Sequence, residues 1–269
     1  MEKEKNKNFL YPTLLLAGSF TFAFLFGEMV HEYGHYFSHL WFGNKDVGVY
    51  LNPFGSSHIF GVTSLPLREM GITSAAGPLT NLLLGVIISS LLWRKKRPAL
   101  LPLLLWGPTA MIQEGVNFSL GLLTPGGDAQ WISTLGIPKA ILISTGILLI
   151  VCGLVIFSYI FSSIGISNNR SRFSTFLIIL LGMCSLMLIR FAYPVIIEPQ
   201  YMMENLVPLV FSILLAVIIV LIQPYIKKII KQNKSIRNSP FDQRAMISAV
   251  GLGSCIFIFQ ILLSIFTQH

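Results

Sequence analysis

His31-Glu32-Tyr33-Gly34-His35 sets two imidazoles four residues apart, with a carboxylate beside the first. On a helix, residues i and i+4 share a face, so His31 and His35 can offer two nitrogens to one Zn²⁺. Glu32 then reaches the metal-activated water as a general base. This is the chemistry of metal-assisted hydrolysis, and it lies in an apolar stretch running from Phe20 through Phe26 to Phe42. Ionisable groups are costly in lipid, and a bound metal with its chemistry accounts for keeping them there. The bland reading is a soluble-type helix that spells the pattern by chance. It requires the membrane context and the later motifs to be coincidences too.

A catalytic zinc site usually has three protein ligands and one open position. The metzincin spacing demands glycine and histidine where this chain has Ser38 and Trp41, so that option fails. His39 shares the face of His35 but lies a turn further along, which suits an interfacial or outer hydrogen-bonding role. Asp128, in Thr124-Pro125-Gly126-Gly127-Asp128-Ala129, is the better candidate. Proline and two glycines break the preceding helix, and irregular backbone at membrane depth is tolerated mainly where it lines a cavity. With the first and third spans running the same way, His31, His35 and Asp128 fall toward one membrane side. The plain alternative for Asp128 is a solvated turn residue. Glu114 is the reserve third ligand, since some zinc proteases use a glutamate from another helix.

The elements that must position these groups are membrane helices. The 269 residues are 54% hydrophobic and 11% charged, with mean hydropathy +0.72, which excludes an ordinary soluble domain. About 20 apolar residues span a bilayer, and seven stretches qualify, near 11–42, 73–93, 99–122, 138–162, 173–197, 205–226 and 245–267. The expected fold is therefore an all-α polytopic membrane protein. Residues 1–130 form the catalytic core and 131–269 four accessory helices, all within one membrane-embedded unit. The start, Met1 to Asn8, mixes acidic and basic residues and leads to no clear cleavage site, so a signal peptide is not expected.

Val47 to Ser64 differs in character. Two β-rich runs flank the turn-rich Asn52-Pro53-Phe54-Gly55-Ser56-Ser57, a pattern that predicts a small hairpin. Its edge could hold an extended substrate by strand addition; a plain surface loop is the alternative.

The net charge of +8 suggests nucleic acid at first sight, yet the basic residues sit in short clusters between apolar runs, where lipid headgroups and topology explain them. No nucleic-acid partner is expected. With a cytoplasmic N-terminus and seven alternating spans, the inside segments hold Lys3, Lys5, Lys7, Arg94 to Arg97, Arg170, Arg172, Lys227, Lys228, Lys231, Lys234, Arg237 and Arg244. Those are 15 of the 19 basic residues. Cys152, Cys184 and Cys255 read as small core hydrophobes.

Ser74-Ala75-Ala76-Gly77-Pro78-Leu79-Thr80-Asn81 opens the second span. Its small residues permit close helix approach, and the Asn81 amide could bind a substrate backbone or the oxyanion of water attack; simple helix packing is the alternative. HEYGH in an apolar helix, AAGPLTN in the next, and Asn117 with PGGD at the third together resemble the site-2 protease family of intramembrane zinc metalloproteases. The resemblance covers about residues 20–130. It implies a three-helix core with His31, His35 and Asp128 on zinc, Glu32 as base and Asn81 as a substrate or transition-state contact. The substrate would be a partly unwound transmembrane segment or signal-peptide remnant. The hairpin is similar in position to a family element that steers substrate. The chain departs from the family in having Ala129 where glycine commonly follows the ligand aspartate, and in carrying no inserted PDZ domain. Its charge bias also places the zinc side away from the cytosol, where family members place it nearer.

Among the remaining polar residues, Glu28, three before His31, is expected to orient a ligand or line a wet cavity. Glu114 and Asn117 face the same way in the third span. Gln113 and His58 carry no pattern of their own, and Arg190 is expected to snorkel to the interface. The rival functions are a transporter whose buried His, Glu and Asp form an ion path, and a family-like scaffold that binds a partner without cutting it.

Overall fold

The computed structural model describes residues 2–95, 97–123, 126–164, 166, 171–196, 202–232 and 243–267. Met1, Lys96, Thr124, Pro125, Arg170, Lys234 and Arg237, all used in the sequence reading, lie outside the described residues. In chain order the elements are α1 (Glu2–Trp41), β1 (Gly48–Tyr50), β2 (His58–Phe60), α2 (Leu67–Leu92), α3 (Leu101–Leu120), α4 (Asp128–Ser133), α5 (Lys139–Ser163), α6 (Arg172–Ile196), α7 (Met202–Gln232) and α8 (Gln243–Thr267). The fold is an all-α polytopic membrane architecture with one two-stranded ribbon.

Among the described residues, six helices are long and apolar enough to cross a membrane: α1 from Phe9 onward, α2, α5, α6, α7 and α8. The expectation of seven is corrected at α3. That helix has 20 residues, but Pro102, Pro108, Gln113, Glu114 and Asn117 dilute its apolar content. Its surroundings explain why this is tolerated, because α3 packs against α1, α2 and α5 and is largely buried by them. A helix sheltered by other helices can carry polar groups that a lipid-facing one cannot.

α1 is the hub and packs against α2, α3, α6 and α8. Lipid supplies no hydrophobic drive between helices, so association depends on close packing at small residues. A Cβ built on Gly34 of α1 would lie 2.8 Å from Ala76 O and 2.9 Å from the Gly77 Cα of α2, so both glycines are needed at this crossing. The small-residue run beginning at Ser74 thus brings α2 against the HEYGH helix, as the sequence predicts. Leu16 and Leu25 of α1, Trp106 of α3, Phe157 of α5, Met183 of α6 and Ala249 of α8 share one buried core, so residues 1–130 and 131–269 are a single packed unit. Outward faces are apolar, for example Leu83, Ile87 and Leu91 on α2 and Ile147, Leu148 and Val151 on α5, which suits contact with acyl chains.

The hairpin forms where it is expected. β1 and β2 are antiparallel, with Gly48 opposite Phe60, Val49 opposite Ile59 and Tyr50 opposite His58. In its turn the Phe54 amide donates to Asn52 Oδ1 at 3.0 Å, and Gly61 leaves the ribbon at φ +69°, a conformation few other residues adopt.

Candidate metal centre

His31 and His35 are stacked one turn apart near the C-terminal end of α1, with ring centroids 4.7 Å apart and planes at 77°. Asp128 is the first residue of α4, beyond the break that ends α3. Each imidazole is fixed by its Nδ1. His35 Nδ1 donates to the Thr73 carbonyl of α2 at 2.7 Å, and His31 Nδ1 donates to Glu114 Oε1 of α3 at 2.9 Å. A carbonyl and a carboxylate can only accept, so both Nδ1 atoms carry hydrogen and both Nε2 atoms present lone pairs in the neutral rings.

Those two Nε2 atoms converge. They are 3.0 Å apart, and Asp128 closes the group with Oδ2 at 3.1 Å from His31 Nε2 and Oδ1 at 3.4 Å from His35 Nε2. Ligand atoms of all three residues lie within 4.8 Å of one another. Three electron-pair donors, one of them anionic, therefore face a single point. Extra protons or one cation must satisfy them, and a His₂-carboxylate donor set fits Zn²⁺.

No protein-family model, curated protein or solved structure matches this chain. What the site can do rests on its own chemistry.

A cavity of about 610 Å³ opens beside the triad and is lined by His31, Glu32, His35 and Asp128 together with Ser57 and Ile59 of the hairpin region. Glu32 is 8% exposed, placing a buried carboxylate in the same cavity as both imidazoles. Ala129, next to Asp128, is fully buried.

Asn81 and Glu114 are placed together behind the site. Asn81 is fully buried; its Nδ2 donates to Glu114 Oε1 at 2.6 Å and its Oδ1 accepts from Trp106 Nε1 at 2.9 Å. Both ends of the amide are used on the far side of His31, and Asn81 does not line the cavity. Glu114 reaches His31 through Nδ1, the nitrogen facing away from Asp128. Asn117 does line the cavity and donates through Nδ2 to Asp128 Oδ2 at 2.9 Å. His39 is buried and lines the cavity without joining the triad. His58 lines it from β2, and the Gln113 Oε1 is buried without a partner.

Arg190 does not snorkel. It is 6% exposed and pairs with Glu28 at 2.6 Å. Glu28 also lines the cavity. Two supports were not expected from the sequence. The Thr73 carbonyl carries no side-chain signal, whereas Trp106, an N–H donor within a helix already rich in prolines, is a visible cue to a buried acceptor nearby.

Proposed function

We propose that this chain is a zinc-dependent intramembrane endopeptidase of the site-2 protease type. The observation that supports this reading is the convergence of two imidazole lone pairs and one carboxylate on a point in a cavity that Glu32 also lines. His31, His35 and Asp128 would hold the metal. When bound, zinc supplies a water acidic enough to act as a nucleophile near neutral pH.

Glu32 takes the proton of the attacking water and passes it to the leaving amine. Glu114 and the Thr73 carbonyl keep both imidazoles in the tautomer that directs Nε2 to the ion, and Asn117 holds the Asp128 carboxylate in place. Asn81 acts through Glu114, as a support to His31, in place of the substrate contact that the family resemblance implies. A helical substrate hides its carbonyls in hydrogen bonds, so it must unwind before attack; the free edge of β2 can receive the extended stretch. The substrate class is a transmembrane or membrane-proximal segment of another protein, such as a signal-peptide remnant.

Cleavage of a reconstituted transmembrane peptide by wild-type and Glu32→Gln protein tests the assignment. Zinc content should match in the two, and only the wild type should cut. Equal cleavage by both would refute Glu32 as the base.

A further inference from the structure

Arg190 of α6 and Glu28 of α1 are 162 residues apart, and the chemistry above uses neither. An arginine inside a spanning helix is kept only for a purpose. Its guanidinium makes three bonds: Nη2 donates to Glu28 Oε2 at 2.6 Å and to Asn52 O at 3.1 Å, and Nε donates to Pro53 O at 2.9 Å. The plane also lies over the Phe24 ring of α1, 4.9 Å from its centroid. One cation thus joins α6, α1 and the hairpin turn. A lysine could neutralise Glu28, but its single ammonium nitrogen cannot stand at both the Nη2 and the Nε positions from which these bonds are made.

The hairpin is tied to the accessory helices a second time. Phe54, at its tip, stacks on Tyr193 of α6 at 4.3 Å and meets Phe257 of α8 edge-on at 5.3 Å. Glu28 in turn accepts a hydrogen bond from the Ser57 backbone. Glu28, Ser57, His58 and Ile59 all line the cavity of the triad, so the pinned turn leads straight into the cavity wall. Among the described residues β2 pairs only with β1, and its other edge carries no strand.

We propose that Arg190 is a positioning residue for substrate: by clamping the Asn52-Pro53 turn to Glu28 it holds the open edge of β2 against the cavity, where it receives an extended peptide. On this view the accessory helices contribute to substrate affinity and leave the chemical step to α1, α3 and α4. The inference rests on the peptidase reading given above, and its test includes an arm that does not.

Arg190→Lys keeps the charge opposite Glu28 and removes the fork. In vesicles with a transmembrane peptide substrate, this variant should raise KM about tenfold, the cost of losing one or two hydrogen bonds, with kcat within about twofold and zinc content unchanged. Phe54→Ala, which loosens the same turn from its other side, should give the same split. The independent arm is a spin-label distance between Ser56→Cys and Lys139→Cys, in a chain with Cys152, Cys184 and Cys255 replaced by serine. The distribution should be narrow with Arg190 and broad with lysine. A distribution unchanged by lysine overturns the clamp, as does a native KM alongside a broadened one, or a fall in kcat with lost zinc. A broadened distribution in a chain whose native form cuts no peptide and binds no zinc leaves the clamp standing and overturns the peptidase reading.

Discussion

Glu114→Gln keeps the shape of a side chain on which three donors converge and removes its charge. His31 Nδ1 approaches at 2.9 Å, Asn81 Nδ2 at 2.6 Å and Asn117 Nδ2 at 3.5 Å, and the residue is 2% exposed. A hydrogen bond to a charged acceptor contributes about 1.5–3 kcal/mol and one to a neutral acceptor about 0.5–1.5 kcal/mol, so each of the two short bonds weakens by about 1 kcal/mol. The two losses register in different measurements. Weakening the His31 bond lowers the basicity and fixity of a metal ligand, and zinc affinity should fall about 10- to 100-fold. Weakening the Asn81 bond is independent of metal and should cost about 1 kcal/mol of stability with or without zinc. Chelator competition on the purified protein reads the first, and thermal unfolding of the metal-free protein reads the second. Zinc affinity within about twofold of wild type would refute the supporting role. A loss as complete as that of Asp128→Ala would make Glu114 a ligand itself.

Asp128→Ala should abolish tight zinc binding, because two imidazoles alone leave the set one ligand short of the usual three; retained stoichiometric zinc in a dialysed sample would count against the triad. Gly77→Ala places a methyl group against His35 Nε2 and should displace that ring, giving a folded protein with little zinc, whereas Gly251→Ala, with nothing within 4 Å, should bind zinc normally. Trp106→Phe removes the donor to Asn81 Oδ1 and leaves a buried acceptor unpaired. It should cost about 1–3 kcal/mol in unfolding free energy while zinc stays stoichiometric. Removing zinc from wild-type protein with a chelator should stop cleavage, and re-adding it should restore cleavage.

The His31-His35-Asp128 group was legible because its geometry is local or marked by breakers. His31 and His35 are one helical turn apart, and Asp128 follows two glycines at the start of α4. The ribbon was legible from two β-rich runs around Asn52 to Ser57, and the α1–α2 crossing from the small residues around Gly77. Other features depend on which face of a helix turns inward, and periodicity is weak where helices are apolar all round. α3 reads as a seventh span by length, yet its polar residues are sheltered by neighbouring helices. Asn81 reads as a group available to substrate, yet Glu114 and Trp106 consume both ends of its amide. Arg190 reads as an interfacial cation because its partner is far away in sequence. The signal was present all the same, since an arginine in one span and Glu28 in another are each costly alone and compatible as a pair.

X-ray absorption at the zinc edge of purified wild-type protein, with metal content measured on the same sample, tests the central claim most directly. One zinc per chain is expected, with two imidazole nitrogens at about 2.0–2.1 Å and at least one carboxylate oxygen at about 2.0–2.2 Å. Zinc that dialyses away, or a coordination shell without imidazole, would contradict the claim that His31, His35 and Asp128 share an ion.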